Sequence, residues 1–324
     1  MIGCYVHHVG GGHLARAVQI AGELHCPVTG LSTLPRPEDW PGDWLQLPPD
    51  NPAVDHTGDA EAQATAGGVL HFAPLRAGFR ERQRLIAHWV ETAAPRAVLV
   101  DVSVEVAALV RLLGVPVVVT AMPGDRNDRA HRLGFDLASA IIAPWPAHAH
   151  PDSVVRGMRT TYVGGISRFA GRTPDLGRRE PGRGLIVWGS GGAEFALAQR
   201  DSLMSATPER DWRLALDLPP EQLWQELQRA EVVVSHAGQG AVADLAVAGA
   251  PAVVVADERP HGEQLATVAA LQRLGVAVGA GRWPAQQEWP QLLAAAVALG
   301  GQRWPRWLGS GAAGAAQVLR RVAA

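Results

Sequence analysis

Twice along this chain a short β-branched run stops at a cluster of glycines and a helical pattern starts at once. This order of strand, glycine turn and helix constrains the fold more than any other feature. Residues 2–9, IGCYVHHV, read as a strand, and LARAVQIAGEL then places Leu14, Ala17, Val18, Ala21 and Leu24 on one helical face. A second strand is expected near 26–33, and residues 35–70 lose periodicity and read as a long loop over a domain face. Residues 74–93 read as a helix whose exposed side carries Arg76, Arg80, Arg82 and Arg84. AVLVD at 97–101 reads as a buried parallel strand, followed by a helix over 103–113 with Gly114 at its end, a strand, and AIIAP at 140–144.

Between 166 and 183 the periodicity stops and Arg, Gly and Pro dominate, which marks a linker. The same grammar then restarts. A strand at 184–190, a helix at 193–206, the strand WRLALDL, the helix PPEQLWQELQRA, the strand EVVVSH, a helix from Ala241, the strand PAVVVAD and a helix at 261–274 follow in turn. A last helix at 310–324 comes after the crossover WPRW at 304–307. The 324 residues suit about two domains. The reading is an α/β chain with a Rossmann-like N-terminal domain over 1–165, a linker over 166–183 and a Rossmann-like C-terminal domain over 184–303. Residues 304–324 form the crossover and C-terminal helix. Parallel sheets of this kind bind ligands at the carboxyl ends of their strands, so a cleft between the two halves is the expected site.

Composition removes several functions. The 29 basic and 31 acidic residues give a net charge of -2, which argues against nucleic-acid binding. Every basic residue is Arg, so lysine Schiff-base chemistry and a P-loop lysine are excluded. No leader pattern and no run of about 18 apolar residues occurs, so a cytoplasmic protein is expected, with peripheral membrane contact left open. Cys4 and Cys26 match no metal spacing and read as buried reduced thiols. His7 and His8 point to opposite faces of a strand and His148 and His150 lie in an irregular Pro-rich stretch, so no metal site is expected. The Trp residues read mostly as packing, with Trp40, Trp44 or Trp188 as possible pocket walls.

Two strand-to-helix turns carry chemistry. Gly10, Gly11 and Gly12 allow close backbone approach, and His13 stands at the helix entrance facing the carboxyl edge of the sheet. The turn fits a loose GxGxxA dinucleotide pattern, but no acidic residue closes a second strand about 20 positions on. The other turn is Ser235-His236-Ala237-Gly238-Gln239-Gly240, where free N–H groups at a helix N-terminus attract phosphate, with Asp244 one turn in. Asp244 is either a first-turn acid or an acceptor for a ribose diol. Glu263 and Gln264 place a carboxylate beside an amide, a pair suited to sugar hydroxyls.

The stretch SHAGQGAVADLAVAGAPAVVVADERPHGEQ resembles the donor-binding region of GT-B nucleotide-sugar glycosyltransferases. GGGHLARAVQIAGEL resembles the Gly-Gly-His loop of their acceptor domain, and VWGSGGAEF their first C-terminal glycine loop. The likeness is to the MurG-like transferases and the UDP-glycosyltransferase superfamily. It implies the GT-B fold and metal-independent inverting transfer of a hexosyl group from a UDP- or dTDP-sugar to a hydroxyl-bearing acceptor, a secondary metabolite or cell-envelope precursor, without a cofactor. It further implies His13 as general base, Gly189, Ser190, Gly191 and Gly192 with His236, Ala237, Gly238, Gln239 and Gly240 around the diphosphate, and Asp244 at the ribose. Leu218 would lie near the base and Glu263 with Gln264 at the sugar, with Gly11 and Gly12 on the acceptor side. Asp101 either orients His13 or caps the following helix. Asp125 and Arg126 either touch the acceptor or sit in a solvated turn. Departures are DVSVEVAALV where the lipid II-forming enzymes carry a second glycine loop, and Asp244 where Glu is usual. A nucleotide-sugar epimerase and a catalytically silent nucleotide-sugar-binding subunit are the competing readings.

Overall fold

The computed structural model describes residues 1–8, 11–49, 63–189, 193–216 and 218–324; Gly10, Ser190, Gly191 and Gly192 lie outside these described residues. In the N-terminal half, seven parallel strands lie in the order β3-β2-β1-β4-β5-β6-β7. They are β1 (Ile2–Tyr5), β2 (Val28–Ser32), β3 (Asp43–Gln46), β4 (Ala97–Asp101), β5 (Val117–Thr120), β6 (Ala140–Ala143) and β7 (Thr160–Tyr162). The connecting helices are α1 (Gly11–Gly22), α2 (Ala77–Ala93), α3 (Val104–Leu112) and α4 (Arg129–Leu137). The C-terminal half has five parallel strands in the order β12-β11-β10-β8-β9. These are β8 (Glu180–Trp188), β9 (Asp211–Leu216), β10 (Ala230–His236), β11 (Ala252–Val255) and β12 (Val278–Ala280), with helices α5 (Ala193–Ala206), α6 (Pro220–Arg229), α7 (Gln239–Ala248), α8 (Glu263–Leu274) and α9 (Trp289–Leu299).

Uninterrupted apolar runs make the central strands. All residues of β1, β4, β5 and β6 are buried, as parallel strands covered on both faces require. The last helix, α10 (Gly311–Val322), returns to the N-terminal half, where Ala315, Ala316 and Leu319 share a core with Ile2, Cys4, Leu99 and Ile142. Strand order reverses between β1 and β4 in the first sheet and between β8 and β10 in the second. Such switch points open a crevice at the carboxyl ends of the strands. His13 and Asp101 stand at the first, Gly189 and His236 at the second.

The structure departs from the sequence reading in several places. Within the expected loop, β3 pairs with β2 as an edge strand. β8 begins at Glu180, inside the stretch read as linker. Arg82 is not on an exposed face: it is buried, and its guanidinium donates to Tyr5 Oη at 2.6 Å and to the Pro48 carbonyl at 2.8 Å. β1 ends at Tyr5, so His7 and His8 do not alternate across a strand; their rings stack at 5.0 Å. Trp40 and Trp188 are core residues, and Trp44 Nε1 donates to the Leu34 carbonyl. Cys4 and Cys26 are free thiols; Cys4 is buried, which pushes its pKa up to about 12, while Cys26 is only half-buried.

Candidate active site

His13 lies in the first turn of α1, which begins at Gly11. Its Nδ1 is 2.9 Å from Oδ2 of Asp101, the last residue of β4. Because β1 and β4 are sheet neighbours, a residue just past one meets the end of the other. Asp101 does not cap the following helix. That cap is Ser103, whose Oγ accepts from the Val106 N–H. Between them, Val102 is held at φ 62°, a costly conformation for a β-branched residue.

Arg16, one turn further along α1, completes the cluster. Its Nη2 donates to Asp101 Oδ1 at 2.8 Å and Oδ2 at 2.9 Å and lies 3.0 Å from His13 Nδ1. One imidazole nitrogen cannot both donate to Asp101 and accept from Arg16. The carboxylate is the stronger acceptor and already takes the guanidinium, so Nδ1 carries the proton and Nε2 keeps its lone pair. Burial pushes the Asp101 carboxyl up, but the Arg16 and His13 charges and hydrogen bonds outweigh it and hold it well below the usual carboxylate range.

Arg16 also reaches across the cleft, where Nη1 donates to Gln239 Oε1 at 2.7 Å. Gln239 is the first residue of α7, whose N-cap, Gly238, offers no side chain. Val242 is the first residue to donate back, to the Gly238 carbonyl, so the N–H groups of Gln239, Gly240 and Ala241 have no intrahelical acceptor. A Cβ at Gly11, Gly12 or Gly240 would meet only open space, so both glycine turns leave room at the cleft. A narrow cleft lies between them, lined by Gly12, Arg16, Arg168, Gln239, Gly240 and Asp244 among others. Two helix N-termini and two guanidinium groups around one cleft suit a polyanion.

The remaining donor-side residues are more tightly engaged. His236 Nδ1 accepts from the Gly238 N–H at 3.1 Å; burial lowers its pKa to about 4, so the ring is neutral near pH 7. A Cβ on Gly238 would strike this ring, which accounts for that glycine, and a Cβ on Gly189 would approach it to 3.7 Å. Gln264 is buried, and its Oε1 accepts from the N–H groups of Ala237 and Asp257, both at 3.0 Å, fixing the β10 turn. Asp244 is buried, accepting from Ser167 Oγ on Oδ1 at 2.7 Å and pairing through Oδ2 with Arg168 Nε at 2.9 Å, and it lines the cleft. Leu218 is half-buried just before α6.

The stretch around Arg126 is not a solvated turn. Arg126 is buried, and its Nη2 donates to Glu263 Oε2 at 2.9 Å across the seam between the halves. Asp125 is exposed, with its N–H donating to the His261 carbonyl at 2.8 Å. Beyond them, α4 and α3 line an open apolar pocket whose wall includes Val102, Thr120, Met122, His131 and Phe135. Thr120 is buried beside Asp101 in the sheet, and its hydroxyl has no hydrogen-bond partner among the described residues. Met122 Sδ lies 3.8 Å from Arg16 Nη2, which joins this pocket to the His13 cluster. Arg16, Arg168 and Thr120 were not legible as site residues. The first two act through partners 223 and 76 positions away, Gln239 and Asp244.

Residues 221–298 match the glycosyltransferase family 28 C-terminal domain. A curated relative from Rubrobacter xylanophilus is the UDP-N-acetylglucosamine–N-acetylmuramyl-(pentapeptide) pyrophosphoryl-undecaprenol N-acetylglucosamine transferase. It is 31% identical over 174 residues, a match that covers 46% of this chain and spans half the relative's length, 50%. Among solved structures, the glycosyltransferase of kitacinnamycin superposes with a TM-score of 0.69 at 17% identity, covering 99% of this chain and 98% of that one. Spinosyn rhamnosyltransferase SpnG, complexed with thymidine diphosphate, gives 0.67 at 16% identity, covering 99% and 100%. Acinetobacter baumannii MurG gives 0.67 at 15%, covering 99% of each chain. The fold is GT-B: two Rossmann-like halves with parallel sheets across a cleft. Within that fold, the C-terminal half over residues 221–298 is similar to the family 28 transferases.

Proposed function

We propose that this chain is a metal-independent inverting glycosyltransferase that moves a hexosyl group from a UDP- or dTDP-sugar to the hydroxyl of a small apolar acceptor. The observation that carries the reading is the His13–Asp101 pair, 2.9 Å apart, beside a cleft whose opposite wall is the uncapped N-terminus of α7. In this mechanism His13 Nε2 takes the acceptor's hydroxyl proton, the oxygen attacks the anomeric carbon from the face opposite the diphosphate, and the bond to the diphosphate breaks with inversion. The leaving charge settles on the N–H groups of Gln239, Gly240 and Ala241 and beside Arg16. Asp101 holds the imidazole in the required tautomer and stabilises it once protonated. No step calls for a metal ion.

The apolar pocket at α3 and α4 supports a compact acceptor over a lipid-linked one, with the Thr120 hydroxyl as partner for a polar group on it. The thymidine diphosphate of the spinosyn rhamnosyltransferase keeps dTDP beside UDP as donor nucleotide. The test is a panel of UDP- and dTDP-sugars incubated with and without aromatic and polyketide alcohols. Nucleoside diphosphate release that depends on the acceptor is expected. Isomerised sugar from donor alone would assign an epimerase, and no binding of any nucleotide sugar would assign neither activity.

A further inference from the structure

On the far side of the apolar pocket, two side chains from the first turn of α4 meet a third, His71, from the loop before α2. His71 Nε2 is 3.1 Å from His131 Nδ1; His131 Nδ1 is 2.6 Å from Asp128 Oδ2, and His71 Nε2 is 3.8 Å from Asp128 Oδ1. Among the described residues, this is the one set of three or more such groups whose ligand atoms lie within 4.8 Å of one another.

We propose that His71, Asp128 and His131 bind one divalent transition-metal ion of the zinc class on the wall of the acceptor pocket. Two imidazole nitrogens and a carboxylate oxygen are a donor set of borderline softness that suits zinc, cobalt or nickel and not magnesium or calcium. Each ligand is already oriented by a neighbour, as second-shell contacts do at metal centres. Asp128 is the N-cap of α4, with Oδ1 accepting from the His131 N–H at 3.0 Å. The backbone of His71 is fixed where its N–H and that of Phe72 donate to Glu105 Oε1 at 2.7 and 2.9 Å.

A cation on Nδ1 leaves the His131 proton on Nε2, so Arg126 Nη1, now 3.2 Å from that nitrogen, must turn away. Because the guanidinium is rigid and planar, Nη2 and Nε shift with it relative to Glu263 and the Pro123 carbonyl. His261, held at a backbone φ of 62°, approaches from the other half with its Nδ1 3.9 Å from Asp128 Oδ2. The anion-binding cleft shares no lining residue with this pocket, so the ion lies away from the groups assigned to the diphosphate.

The test is calorimetric titration of the chelator-treated full chain with Zn²⁺, together with Co²⁺ absorption spectra and the melting temperature with and without Zn²⁺. One ion per chain, a rise in melting temperature and tetrahedral or five-coordinate Co²⁺ bands are expected. His71→Ala and Asp128→Asn should each weaken binding by ~100-fold or more, and His7→Ala should leave it unchanged. Asp128→Asn keeps the oxygen that caps α4, so loss of binding there is not loss of fold. No saturable binding, or binding that survives both variants and falls with His7→Ala, would overturn the assignment.

Discussion

Arg16 serves two neighbours that sequence spacing does not connect. Its guanidinium closes on Asp101 from the same half and on Gln239 from the other, so the charge that keeps Asp101 ionised also marks the cleft's closed geometry. Asp101→Asn is expected to cost roughly 3–5 kcal/mol of stability at pH 7, because it leaves a buried guanidinium without its countercharge. It should also lower kcat while leaving donor affinity within about twofold, since the imidazole loses its orienting partner and not its place; equal losses in binding and turnover would contradict this. His13, Asp101, Glu263 and the α7 turn were legible because each sits where a strand ends and a helix begins. The carboxylates' partners were not, since pairing across 137 positions, as in Arg126–Glu263, leaves no mark in local spacing.

Among the elements, the long strands and helices were legible from uninterrupted apolar runs and from glycine and proline punctuation. The short edge strands β3 and β12 were not: none of their residues is fully buried, so neither offers an apolar run. α4 was hidden because RAHRLGFDL carries a glycine and few apolar residues; its signal was the Asp128 cap, masked in a run of charges. The loop before α4 is what fits against the C-terminal half. Gly124 has φ 89°, and a Cβ there would collide with the His261 carbonyl and the Glu263 backbone nitrogen. Gly124→Ala is therefore expected to destabilise by at least ~1 kcal/mol from φ alone and to weaken the Arg126–Glu263 bridge. A higher KM for the donor and a lower melting temperature are the expected readings; unchanged values of both would mean the seam gives way without cost.

Across the whole molecule, acid should loosen the fold in two stages. Burial lowers His150 and His236 to about 4, and burial with the nearby His71 does the same for His131. A folded pKa below the unfolded value of about 6.5 means that the unfolded chain takes up protons first. Their contribution is thus complete above about pH 6.5 and is lost as pH falls towards 4. Asp101, also lowered, keeps its share until pH falls below the usual carboxylate range. Melting temperatures between pH 7 and 4 should decline, and His150→Phe, which replaces a buried imidazole whose Nε2 has no partner, should flatten that decline. A profile level over this window would contradict the burial of these rings.

Both halves meet in one claim, that an imidazole at the start of α1 takes a proton from an acceptor whose sugar arrives on a diphosphate held at the start of α7. The most direct measurement is the acceptor-dependent turnover of His13→Ala alongside its affinity for UDP and dTDP. A fall in kcat of about 10²- to 10⁴-fold, with nucleotide affinity within twofold of the unsubstituted protein, is the expected result. Turnover at the original rate, or no affinity of either protein for a nucleoside diphosphate, would contradict it.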